Sequence, residues 1–401
     1  MALMTWWPCR FWWLWLSLLP LTAYLSTHMI GDMTTKGEAK QVDNANQVED
    51  SAHSTGGVYS QEGKDFNRDT RYINDRIVKD GREVGEGIKT WPVEAGRYRL
   101  IAARACPWAH RTLIVRRLLG LEDAISVGIP GPVHDARSWA FDKGPGGRDE
   151  VLGYERLQEA FLKRFPDYQR GITVPAIVEI ESGEVVTNDF PWITLDFITE
   201  WTEFHREGAP DLYPVEMREE MDELMQFIYT EINNGVYRCG FAGSQDSYDK
   251  AYDRLFNALD KVSERLETRR YLMGDHITEA DIRLYTTLIR FDAVYHGHFK
   301  CNRSKISEMP VLYNYLRDLF QTPGFGDTTD FVDIKRHYYE VHRDLNPLGI
   351  VPKGPELSDL LQPHGREALG GSPFGNGTAP APVNPDPVEE GHRIEDLVVK
   401  H

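Results

Sequence analysis

Hydrophobic spacing divides the chain into an alternating strand–helix stretch and a longer, purely helical one. Residues 97–103 (RYRLIAA) form a compact apolar run of strand length. Residues 107–119 then repeat apolar positions at helical spacing (Leu113, Val115, Leu118, Leu119) until Gly120 ends them. Residues 124–129 predict a second short strand, followed by a loop rich in Gly, Pro and Asp over 130–148 and a helix over about 150–164. Residues 173–180 and 184–187 predict a hairpin around a turn at 181–183, and helix returns at 189–200. The predicted order is β-α-β-α-β-β-α. From 214 to about 344 no comparable strand run recurs, and amphipathic helices dominate, as at 248–266 and 310–321. An α/β unit followed by an all-helical unit predicts two domains, 66–205 and 206–352.

The ends follow neither period. Residues 11–25 are almost uncharged, with Arg10 before them and Asp32 the first acid after. Three readings of the apolar segment 1–32 stand: a signal peptide, a short membrane anchor, or a translated upstream stretch outside the working protein. It falls short of the roughly 20 apolar residues that span a bilayer comfortably, and Pro20 would kink a spanning helix. Residues 33–65 are polar and predict a disordered linker. Residues 353–401 are punctuated by Pro and Gly and predict a disordered tail, too poor in apolar surface to offset chain entropy.

Charge and cysteine usage narrow the chemistry. Across 401 residues, 45 Lys and Arg face 62 Asp and Glu, a net charge of −17. That balance argues against non-specific nucleic-acid binding, which needs cations to neutralise phosphates. The four cysteines (Cys9, Cys106, Cys239, Cys301) are scattered and form no C-x-x-C pair, which excludes a disulfide scaffold and a zinc ribbon.

Cys106 stands where the first strand hands over to a helix, with Pro107 in the first helical position, where proline is favoured. A thiol there faces unpaired amide N–H groups and the positive end of the helix dipole, and both stabilise a thiolate. Arg104, His110 and Arg111 are expected to add positive potential. Three positions on is Ala109, so no neighbouring thiol can resolve a disulfide formed at Cys106, and an external thiol must do so. The inert alternative is a buried cysteine packing as a small hydrophobe. Val174-Pro175 is the second element: a cis turn there would present the Val174 backbone to an extended ligand, as a strand edge binds a peptide.

These residues resemble the thioredoxin-fold glutathione transferases, and more narrowly the xi-class glutathionyl-hydroquinone reductases, relatives of the omega class. The resemblance runs from about residue 66 to 355. It is carried by Ala105-Cys106-Pro107-Trp108-Ala109-His110-Arg111, Thr173-Val174-Pro175, Ile232-Asn233-Asn234-Gly235-Val236-Tyr237, Thr278-Glu279-Ala280-Asp281, His298-Phe299-Lys300-Cys301-Asn302 and His337-Tyr338-Tyr339. It implies an α/β thioredoxin-like N-terminal domain followed by an all-α C-terminal domain. It also implies cleavage of glutathionyl conjugates of hydroquinones, with Cys106 attacking the glutathione sulfur. By similarity, Tyr237 and Tyr338 or Tyr339 supply phenolic help to the leaving ring, and Tyr295 and His296 line the quinol pocket. Trp139, Arg170, Val174, Pro175, Asn188 and Asp189 are the implied thiol-binding residues. The resemblance further implies a homodimer with small-molecule partners and no metal; the acidic excess fits a cytoplasmic enzyme, and the tryptophan-rich start, which shares nothing with the family pattern, is discounted in that placement.

The chain departs from that pattern where the tripeptide binds. The family's Arg four residues before the proline is replaced by Gly171, with Arg170 one place earlier, and its Glu-Ser pair by Asp189-Phe190. A phenyl ring in place of a hydroxyl removes hydrogen bonds to a charged ligand terminus. The co-substrate is therefore read as glutathione or another low-molecular-weight thiol, such as the sugar-based mycothiol. Two alternatives remain: an omega-like thioltransferase or dehydroascorbate-type reductase, and a non-catalytic thiol-binding module.

Three further signals are read as structural or set aside. Thr278-x-x-Asp281 is a capping box opening a core helix. His296-x-His298-x-x-Cys301 has ligand-like spacing but no evident fourth zinc ligand. Asn302-Arg-Ser304 and Asn376-Gly-Thr378 are glycosylation sequons that matter only in a secreted chain.

Overall fold

The apolar run at 97–103 becomes the central strand of the sheet because every residue of Tyr98–Ile101 is covered on both faces. The computed structural model describes residues 62, 63 and 65–397. Two short strands come first, β1 (Arg76–Val78) and β2 (Thr90–Pro92), paired in parallel; they carry no periodic signal and the sequence reading did not anticipate them. Strands β3 (Tyr98–Ile101), β4 (Ser126–Gly128), β5 (Ala176–Glu179) and β6 (Val185–Thr187) form a mixed sheet of order β4-β3-β5-β6. β3 and β4 are parallel, while β3–β5 and β5–β6 are antiparallel.

Helix α1 (Pro107–Leu119) links β3 to β4 and is buried along its whole length. Its limits are set by local chemistry. Pro107 supplies a preset φ at the first position, and Gly120 closes it at φ 70, donating its N–H to the Arg116 carbonyl. A Cβ at Gly120 would also fall 2.6 Å from Arg206 Cβ. Helices α2 (Gln158–Arg164) and α3 (Phe190–Thr199) complete the β-α-β-α-β-β-α order. The α2 region is shorter than its sequence pattern, because residues 150–157 form turns around Asp149, whose carboxylate accepts the N–H groups of Val151 and Leu152.

The remaining elements are helical: α4 (Arg218–Phe227), a π-helical turn (Ile228–Asn233), α5 (Gly235–Gly240), α6 (Gln245–Leu266), α7 (Glu279–Arg290), a second π-helical turn (Phe291–Tyr295), α8 (Pro310–Gln321) and α9 (Phe331–Val341). The thioredoxin-like half followed by a helical half is thus the observed fold class. At the start of α7 the Asp281 carboxylate accepts hydrogen bonds from the Thr278 and Leu272 amides and the Tyr315 hydroxyl, all buried. It is a structural hub.

The tail corrects the expectation of disorder. Residues 353–397 run along the body in short turns, Ser358–Leu361 and Arg366–Leu369 among them, and bury Leu360, Phe374, Val388 and Ile394. Arg366 is buried and donates to the carbonyls of Leu266, Arg269 and Arg270, where α6 ends. The entropy argument treated the tail as self-supporting; the body instead supplies the partners for its polar groups. The apolar segment 1–32 and almost all of the predicted linker lie outside the described residues.

Candidate active site

The strand-to-helix turn places the Cys106 thiol on the floor of a cavity of about 260 Å³. Cys106 caps α1 with an extended backbone (φ −76, ψ 124) and is 8% exposed. Its Sγ lies 3.4 Å from the Val174 carbonyl oxygen, and the Val174-Pro175 bond that follows is cis.

The electrostatics differ from the sequence expectation. Burial pushes the Cys106 thiol up, against the opposing pull of the Ala109 and Trp108 amides and the charges of Arg290 and Arg68. The helix N-terminus therefore moderates the cost of desolvation without overcoming it. His110 adds no charge, because burial and the neighbouring Arg290 and Arg104 hold it well below the usual imidazole range. Its Nδ1 accepts from Arg290 Nη1 at 3.2 Å, which leaves Nε2–H to donate to Thr328 Oγ1 at 2.9 Å. Arg290 also donates to the Ala105 and Arg104 carbonyls at 3.1 and 2.9 Å, clamping the backbone that leads into Cys106. Arg104 turns instead to the tail, donating to the Asp386 and Pro387 carbonyls. Arg111 packs its guanidinium 4.6 Å from the centre of the Trp108 ring, bonds Asn233, and is pushed down to about 9 by burial.

Arg68 is the cation that sequence reasoning missed. It lines the cavity, bonds Asn234 at 2.7 Å, and lies 4.6 Å from the Trp108 ring centre and 4.7 Å from that of Tyr237. Its Nη2 is buried with no hydrogen-bond partner among the described residues. No motif surrounds it, and 37 residues lie between it and Cys106.

On the thiol-binding side, Trp139, Arg170 and Val174 line the cavity. The Trp139 ring stacks on His337 at 5.1 Å and 16°. Pro175, Asn188 and Asp189 are not among the lining residues. Asn188 is a brace: its Oδ1 accepts the Ile73 amide and its Nδ2 donates to Thr173 Oγ1 at 2.7 Å, holding the segment that presents Val174 just before β5. Asp189 caps α3 and is pushed up to about 6 by burial. Phe190, one residue on, does line the cavity, with its ring 4.6 Å from Trp108.

On the opposite side Tyr237 reaches the cavity, and its hydroxyl bonds that of Tyr338 at 2.7 Å. Tyr338 bonds Tyr295 in turn at 2.8 Å. Tyr338 and Tyr295 are buried behind the lining and form the second and third members of a phenol chain. Tyr339 lies outside the cavity and donates to the Ala293 carbonyl at 3.4 Å. Adjacent residues on a helix diverge by about 100°, so Tyr338 and Tyr339 cannot serve the same chain. His296 also lies outside the cavity, whereas His134, His337 and His342 line it. The His296–His298–Cys301 run does not converge on a point: His298 Nε2 pairs with His342 Nδ1 at 3.1 Å and Cys301 turns to the Val236 carbonyl. The metal-like grouping among the described residues is Asp330, Asp333 and His392, with Lys143 already bonded to Asp333 at 2.8 Å.

Comparison with known proteins places this geometry. A family model described as the glutathione S-transferase N-terminal domain matches residues 105–194, and one for the C-terminal domain matches residues 245–318. The chain is similar to the glutathionyl-hydroquinone reductase YqjG of Escherichia coli, 40% identical over 307 residues, spanning 76% of this chain and 93% of that protein. Among solved structures, a glutathione transferase from Gordonia bronchialis is 67% identical with a TM-score of 0.78, covering 81% of this chain and 99% of that one. The glutathione-bound structure of YqjG is 40% identical with a TM-score of 0.70, covering 74% and 96%.

Proposed function

The chain belongs to the xi class of glutathione S-transferases, the family of the glutathionyl-hydroquinone reductases, and from that premise we infer how its residues carry the reaction. It is an oxidoreductase that reduces thiol conjugates of hydroquinones, with a low-molecular-weight thiol as co-substrate. The observation that supports the mechanism best is that one cavity is lined by a single thiol, Cys106, and by Tyr237, the head of a phenol chain.

The Cys106 thiolate attacks the ligand sulfur, the carbon–sulfur bond breaks, and the ring carbon takes the bonding pair and a proton. Tyr237 is placed to deliver that proton, backed by Tyr338 and Tyr295. The hydroquinone leaves, and Cys106 is left in a mixed disulfide. A second small thiol, as thiolate, attacks the ligand sulfur of that disulfide, releasing the oxidised dithiol and the Cys106 thiolate. Trp139, Arg170 and the Val174 backbone hold the thiol ligand; Asn188 positions Val174. The protein half that binds thiol is taken as residues 66–205, and the quinol-binding half as 206–352.

Phe190 in the cavity wall favours a second reading of the co-substrate. Its ring offers no hydrogen bond to a charged ligand terminus, so a sugar-based thiol such as mycothiol is a candidate beside glutathione. A matrix of conjugates and reducing thiols decides between them. Efficient turnover with glutathione at low concentration, and none with other thiols, would exclude the sugar thiol. For the mechanism, intact-mass analysis after a single turnover should show a thiol adduct in wild type that is absent in Cys106→Ser. Retained turnover in that variant would overturn the assignment. A homodimer is proposed from the family and a cytoplasmic location from the acidic balance, and sedimentation equilibrium tests the dimer.

A further inference from the structure

Two cysteines that the reaction does not use meet in the helical half. Cys239 lies on α5, two residues after Tyr237, and is 2% exposed; Cys301 follows Phe299 and Lys300 and is fully buried. The Cys301 Sγ lies 4.0 Å from the Val236 carbonyl oxygen, which is one helical turn before Cys239 on α5, and the neighbouring Cys239 thiol joins burial in holding the Cys301 thiol up. Cys239 also borders a second, shallow cleft, shared with Gly243, Ser244, Tyr248, Lys300 and Asn302. Of the two, Cys239 borders this cleft and Cys301 does not.

The segment joining this pair to the active site is tightly held. Lys300 takes φ 60, a left-handed conformation uncommon for a residue with a side chain. The Tyr248 hydroxyl pins its carbonyl at 2.7 Å. The preceding Phe299 ring packs against all three members of the phenol chain, with ring centres 5.4 Å from Tyr237, 5.4 Å from Tyr295 and 5.6 Å from Tyr338. Gly240, next to Cys239, meets the same ring so closely that a Cβ there would collide with it. A bond that draws the Cys301 turn toward α5 would press on Phe299, whose ring already meets the Gly240 backbone and packs on Tyr237.

We propose that Cys239 and Cys301 form a second redox site, a dithiol that closes to a disulfide at the expense of a small-molecule disulfide and thereby slows the hydroquinone-forming reaction. The oxidant is of the class that turnover itself releases, and in that respect alone the inference rests on the function proposed above. Cys239, as thiolate, attacks one sulfur of the oxidised thiol at the shallow cleft and expels one thiolate. Cys301 gives up its proton and attacks the Cys239 sulfur of the mixed disulfide, expelling the second. The protein loses two electrons and two protons, and the small disulfide becomes two thiols. Burial holds the Cys301 thiol well above the usual range, so the second step is slow and inhibition develops over time rather than at mixing.

The test uses the full-length protein and oxidised glutathione as the probe. Samples held at graded ratios of oxidised to reduced glutathione are quenched with an alkylating agent and digested without reduction. The expected result is a peptide pair linked through Cys239 and Cys301, appearing with a time-dependent fall in turnover that dithiothreitol reverses. Cys239→Ala and Cys301→Ala should retain the untreated turnover and lose the inhibition. Separately alkylated Cys239 and Cys301 at every ratio would overturn the proposal, as would inhibition that persists in both variants. Wild-type protein inactive before treatment would count against the proposed function, while the peptide map would still decide the dithiol.

Discussion

The hydroxyls of Tyr237 and Tyr338 lie 2.7 Å apart although 101 positions separate them in the chain. Burial raises the Tyr237 phenol and holds Tyr338 and Tyr295 well above the usual range, so all three keep their protons through neutral pH. A protonated donor therefore stands in the cavity through neutral pH. Tyr237→Phe should lower kcat by roughly 10²-fold or more, within the range for loss of a general acid, with little change in KM. Tyr338→Phe should cost less and Tyr339→Phe nothing. Equal losses for Tyr237→Phe and Tyr339→Phe in steady-state assays would refute the assignment.

The Cys106 thiol is raised by burial, so in the free protein the thiolate grows in above the ordinary cysteine range and falls away as pH drops. The rate of alkylation by iodoacetamide should accordingly rise with pH to a midpoint higher than that of a free cysteine. Arg68 opposes the shift, and Arg68→Met should move the midpoint higher still. A midpoint at or below that of free cysteine in the wild type would contradict this account.

His337 stacks on Trp139; its Nδ1 faces the Pro132 carbonyl at 2.7 Å, and burial pushes it down to about 3. A depressed imidazole favours the folded state above its unfolded value, near 6.5, and that contribution is lost as pH falls from there toward 3. Denaturant unfolding of His337→Gln should therefore show a shallower loss of stability between about pH 6.5 and 4 than wild type. Identical slopes would show that the ring does not titrate as described.

Arg366 ties the tail to the body through the carbonyls at the end of α6. Removing the guanidinium leaves buried acceptors without a donor, at a cost of roughly 1–3 kcal/mol. Arg366→Ala should lower the unfolding free energy by about that amount and leave KM unchanged. A neutral effect on chemical denaturation would mean the tail's contacts are dispensable.

Much of the fold was legible because its cues are local. The strand-to-helix order follows from apolar period, the start of α1 from Pro107, its end from Gly120, and the start of α7 from the Thr278–Asp281 pair. Cys106 stood out for the same reason, since its place at a helix start is written in its neighbours. The two short strands β1 and β2 escaped notice because three residues are too few to show a period.

Sequence alone therefore determined the order of elements, the one thiol placed for chemistry and the absence of a resolving partner at Ala109. Only the tertiary structure decided which way that thiol titrates, because desolvation depends on what covers a group and not on what precedes it in the chain. It also decided that Tyr338 rather than Tyr339 joins the phenol chain, that Arg68 enters the cavity, that the tail is held, and that Cys239 meets Cys301. Each of these depends on residues far apart in sequence brought together by packing, and two of the scattered cysteines, Cys239 and Cys301, are neighbours for that reason.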